Sequence, residues 1–80
     1  MILQTKGIQP WDTYEVMKVF DQCFVEGGIL EKENVKFDEG IFTLTFSEEQ
    51  RVDLMIVCEY LITVLKTCQQ IEFLYSGISI

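Results

Sequence analysis

The sequence predicts a small α+β domain, a two-layer sandwich in which two helices cover one face of an antiparallel sheet. Three observations carry this expectation. Two segments show helical periodicity behind start signals, "DTYE" at Asp12 to Glu15 and "SEEQ" at Ser47 to Gln50. Between and after them, three stretches alternate with period two: Val35 to Phe37, Ile41 to Phe46 and Ile71 to Tyr75. At 80 residues the chain has room for one domain and no second core.

Taken in order, "ILQT" (Ile2 to Thr5) reads as a short strand and "KGIQP" as a loop ending at Pro10, a residue tolerated in a first helical turn. In "DTYE", Asp12 and Glu15 have the spacing of a capping box. The helix behind them reaches about Glu26 and stops at Gly27 and Gly28, where glycine closes a helix cheaply. Val16, Met17, Val19, Phe20, Cys23 and Phe24 share its apolar arc; Glu15, Lys18, Gln22 and Glu26 lie opposite. "ILEKENVKF", "DEG" and "IFTLTF" follow. The last two pieces and Val35 to Phe37 read as a hairpin, with Gly40 at the positive-φ position of a three-residue turn. Phe42, Leu44 and Phe46 face the core, while Ile41, Thr43 and Thr45 face outward. Ile29 and Leu30 fit either a strand or a connector.

Ser47 caps the second helix with Gln50 three residues on, and Glu48 and Glu49 suit the positive end of its dipole. About twenty-two residues would make it roughly 33 Å long. The closing segment alternates Ile71, Phe73 and Tyr75 against Glu72, Leu74 and Ser76, a strand ending near Gly77. The resulting order, βαββαβ, matches the split arrangement of ferredoxin-like domains; without the short first strand it would be αββαβ. Either way one sheet face is bare.

The second helix is more apolar than one buried face requires. Leu54, Val57, Cys58, Leu61, Val64, Leu65 and Cys68 form a stripe for the sheet. Tyr60 and Ile62 flank it and Met55 lies just beyond Ile62, so the apolar arc covers about 200°, where a surface helix needs about 100° or somewhat more. Val52 and Ile56 fall among Glu59, Thr63 and Lys66 on the expected wet side. The first helix is a candidate to cover Ile62 or Tyr60, a second copy of the chain to cover Val52, Met55, Ile56 and Tyr60, and another protein is the third candidate.

Thirteen acids face six bases, a net charge of -7, so direct contact with nucleic-acid phosphates or an anionic membrane is not expected. No segment reads as a secretory signal or membrane span, and the three cysteines (Cys23, Cys58, Cys68) lack CxxC spacing. They are expected to be reduced packing residues in a cytoplasmic protein, of the producing or the host cell. The chain has no histidine, G-x-S-x-G or P-loop, so no catalytic role, cofactor or metal is assigned.

Between Glu26 and Glu49 lie seven acids and two lysines. Glu31 and Glu33, read as two apart on a strand, would project together roughly 6.6 Å apart. With Asp38 and Glu39 they form either a solvated hairpin or an acidic face for a basic partner. Trp11 and Tyr14 fall off the main arc of the first helix, as a lid on the core or as exposed interface anchors. The function these features favour is a non-enzymatic, acidic protein-binding domain, in its sharpest form an inhibitor occupying the basic surface of a nucleic-acid-handling protein. The alternative is a homo-oligomeric regulatory domain that binds a small ligand on the open sheet face.

Overall fold

A computed structural model describes residues 1–76 of the chain. Its elements are β1 (Ile2–Lys6), α1 (Thr13–Phe20), β2 (Val35–Asp38), β3 (Ile41–Thr45), α2 (Glu48–Val64) and β4 (Glu72–Ser76). The sheet order is β2-β3-β1-β4 and every pairing is antiparallel. This is the ferredoxin-like βαββαβ order. The short first strand exists, runs one residue beyond Thr5 and lies in the middle of the sheet. The expected end of β4 at Gly77 lies outside the described residues.

The strand alternation fixes which face is dry. Leu3 and Thr5 of β1, Phe42 and Leu44 of β3, and Phe46 and Ile71 just outside the strands are buried on the helix side. Gln4, Lys6, Lys36, Thr45 and Glu72 point to solvent. Val16, Phe20 and Phe24 from the first helix and Leu54, Cys58 and Leu61 from α2 complete the core. Phe20 is its pivot, with ring centroids 4.5 Å from Phe42, 5.4 Å from Phe24 and 6.3 Å from Phe73. Buried Thr5 marks where β1 leaves β3: the ladder ends at Gln4 and Thr43, and the Phe42 N–H donates instead to the Thr5 hydroxyl at 3.0 Å.

Several local expectations need correction. The Asp12 side chain makes no cap bond, because a 3-10 turn at Pro10–Asp12 already leads the backbone into α1. The first helix does reach Glu26, but as a π-helical segment, Asp21–Glu26, and it stops at Gly27 and Gly28 as expected. The Gly28 N–H bonds the Val25 carbonyl with φ at 81°, and a Cβ on Gly27 would stand 2.4 Å from the Cys23 carbonyl oxygen. Met17 lies 41% exposed at the rim of the arc. Ile29 and Leu30 are connector, and Leu30 is buried there.

The β2–β3 turn has two residues, not three: Asp38 pairs with Ile41, and Glu39 and Gly40 both take positive φ, 51° and 79°. That is the type I′ geometry whose twist matches the flanking strands. Helix α2 holds 17 residues, about 25 Å, and ends at Val64. The β-branched run Ile62-Thr63-Val64 weakens helix propensity there, and Leu65 turns extended. The end of the predicted stripe therefore breaks: Val64 is exposed, and Cys68 reaches the core from the 3-10 turn Thr67–Gln70. The start is as expected, with Gln50 Oε1 accepting from the Ser47 N–H at 2.8 Å. Gln50 Nε2 also donates to the Ile29 carbonyl at 2.9 Å, tying the first helix's exit to the start of the second.

Candidate functional site

The register sorts the charged and aromatic candidates to two ends of the sheet. Because Ile2 pairs with Thr45 and Ser76, one end holds the start of β1 and β2, the end of β3 and the start of α2. The other holds the β2–β3 turn, the end of β1 and the loop that carries Trp11. Glu31 and Glu33 belong to the first end with Glu48 and Glu49; Asp38 and Glu39 belong to the second. The four acids thus form two pairs separated by the length of β2.

Glu31 and Glu33 are not on a strand. Glu31 is extended, Lys32–Asn34 form a 3-10 turn, and the Asn34 N–H closes on the Glu31 carbonyl at 2.9 Å. The turn brings the two exposed carboxyl groups within hydrogen-bonding reach. Glu31 is raised above the ordinary carboxylate range by its hydrogen bond with Glu33 and by that neighbour's charge. Glu33 is lowered, first by a hydrogen bond from its own backbone N–H and then by Glu31. Arg51 and Glu48, on successive turns of α2, form a salt bridge at 3.2 Å.

Trp11 and Tyr14 do not lie over the core. They are 78% and 79% exposed, on the 3-10 turn Pro10–Asp12, which buries no residue, and on the first turn of α1. Tyr14 borders a hollow of about 280 Å³ with Met17, Lys18 and Asp21. Spacings of three and four residues put these side chains on one stripe of the helix surface. The six phenylalanines, by contrast, are all buried or half-buried.

The apolar surplus of α2 remains uncovered. Val52, Ile56 and Tyr60 are 58–60% exposed, and α1 does not shield Tyr60 or Ile62. Arg51, Val52, Met55, Ile56 and Glu59 line a groove of about 460 Å³ against Tyr75 of β4. Tyr60 is not among its lining residues. The contribution of Tyr75 is the part that sequence reading missed. The signal was the element order itself, which makes the last strand an edge and sets α2 beside it. Phe46 holds the ring of Tyr75 in place, with centroids 5.8 Å apart.

The cysteines are free and placed for packing: Cys58 and Cys68 are buried and Cys23 half-buried. Burial raises all three thiols, Cys58 to about 12. Among the described residues no group of three or more Cys, Asp or Glu side chains is arranged to hold a metal ion, and no helix is long and apolar enough to cross a membrane. The open sheet face carries the central pair Gln4 and Thr43, 3.3 Å apart, with Ile41 exposed at the start of β3 and Leu74 exposed on the edge strand β4. Comparison with protein-family models, with curated proteins and with solved structures found no match.

Proposed function

We propose that the chain is a non-enzymatic protein-binding module that docks a basic partner protein through the end bearing Trp11, Tyr14 and the β2–β3 turn. The observation that carries this reading is the exposure of the chain's single Trp together with Tyr14. Exposed Trp and Tyr are the side chains most enriched among residues that dominate binding energy. They sit at the sheet end that also presents Asp38 and Glu39, with Asp12 beside them in sequence. Aromatic anchors supply affinity, and the acids supply orientation and on-rate toward a positively charged surface. A basic surface with an apolar slot is what proteins that hold single-stranded nucleic acid present, so an inhibitor competing for such a groove is the sharpest form of the proposal.

The test is capture of partners from nuclease-treated lysate on immobilised wild-type protein and on the Trp11→Ala/Tyr14→Ala variant. Both proteins are first shown to be folded by circular dichroism. The expected result is one stoichiometric partner, lost with the double variant, eluted by raised salt and displaced by heparin. A partner retained equally by the variant, or indifferent to salt and heparin, would overturn the assignment.

A further inference from the structure

We infer that the α2–β4 groove is closed by a second copy of this chain, related by a two-fold axis that passes close to Met55. This surface lies on the opposite flank from the first helix, so the inference stands apart from the function proposed above. Three features of the groove point to a copy of itself.

The first is its charge pattern. On the groove-lining face of α2 the charged residues are Arg51 near one end and Glu59 near the other, with Val52, Met55 and Ile56 between. Met55 is the midpoint of that interval. A two-fold axis there sets the two helices antiparallel, and each Arg51 then faces the Glu59 of the other copy. An isologous interface must be self-complementary in this sense. Within its own helix Arg51 also lies 3.2 Å from Glu48, an exposed pair that the contact with Glu59 of the other copy would extend.

The second is the neighbouring sheet edge. β2 and β4 are the two edge strands. β2 is guarded by Lys36 and Asp38, whereas β4, "EFLYS", carries a charge only at its first residue. Charge on an edge is a device against strand pairing, and β4 lacks it over most of its length. The same axis that makes the helices antiparallel, if perpendicular to the sheet, brings the two β4 edges side by side and antiparallel. One operation therefore addresses both uncovered features.

The third is apolar content. Val52 and Ile56 are 60% and 58% exposed on a chain of only 80 residues. Placed across the axis, they enter the other copy's groove beside its Tyr75. An apolar centre bounded by charged residues is the anatomy of a specific interface.

The experiment is sedimentation equilibrium on the wild type, Arg51→Glu, Glu59→Arg and an equimolar mixture of the two variants, each confirmed as folded by circular dichroism. The wild type should dimerise. Each variant alone sets like charges against each other across the axis and should associate about tenfold or more weakly. The mixture restores opposite charges at both contacts, so it should form heterodimers at least as tight as wild type. A wild type that stays monomeric up to about 0.5 mM would overturn the inference. So would a dimer that is insensitive to the single reversals, or reversals that the mixture fails to rescue.

Discussion

Cys58 shows how much a single position can report. Its thiol lies on the buried stripe of α2 and is pushed up to about 12, mainly by loss of water and secondarily by the neighbouring Cys68 and Glu59. Below 9.0, the thiol's ordinary value, folded and unfolded chains both carry it protonated and the fold keeps its full stability. Above that value the unfolded chain ionises while the folded one resists. Stability is therefore lost progressively as the pH rises from 9.0 toward about 12. Urea denaturation midpoints across this range should fall, and a Cys58→Ala variant, less stable at neutral pH, should fall less steeply. Equal slopes would mean that Cys58 does not carry the effect. The sequence placed this residue correctly, since helical period alone puts it between Leu54 and Leu61. The same method misplaced Glu31 and Glu33. Period two in "ILEKENVKF" cannot be told from a 3-10 turn followed by a strand, and the decisive bond, Asn34 N–H to the Glu31 carbonyl, is a backbone matter.

Elements were legible where pattern and punctuation agreed. "IFTLTF" alternates cleanly, and its inward set of Phe42, Leu44 and Phe46 is the buried set. The first helix ends at its two glycines. Legibility failed where an element ends with no punctuating residue: α2 stops at Val64 without Gly or Pro, on a β-branched run whose penalty is spread over three positions. The hairpin was found, but its turn was drawn one residue too long, because "DEG" suits a three-residue turn as well as the two-residue one it makes. That difference has a measurable consequence. Glu39 is the only non-glycine residue with positive φ among the described residues, and the left-handed region costs an ordinary side chain roughly 1–2 kcal/mol. Asn tolerates it, and Asn-Gly is the favoured type I′ pair. Glu39→Asn should therefore stabilise the fold by about 0.5–1 kcal/mol, read as a rise in Tm of about 2–8 °C. An unchanged or lower Tm would show that the turn does not impose that strain.

For the molecule as a whole, the controlling quantities are a net charge of -7 and a core too small to absorb every apolar residue. The uncovered aromatics, the uncovered groove and the acidic ends follow from these two facts taken together. They also separate the two proposed contacts by their response to salt. Docking of a basic partner beside Asp38 and Glu39 is an attraction between opposite charges, so it weakens as ions screen it. Self-association brings two bodies of charge -7 together, and most of that repulsion acts over distances comparable with the Debye length, about 10 Å at 0.1 M. The Arg51–Glu59 contacts are short and lose water on assembly, which leaves them much less screened. Raising the salt from about 0.02 M to about 0.2 M should therefore tighten the dimer while loosening the partner complex. Sedimentation equilibrium gives the first response, and retention on immobilised partner the second. A dimer that weakens over this range would mean that attraction across the α2 face outweighs the repulsion between the whole molecules, and would place more of the binding energy in charge pairs than the apolar groove suggests.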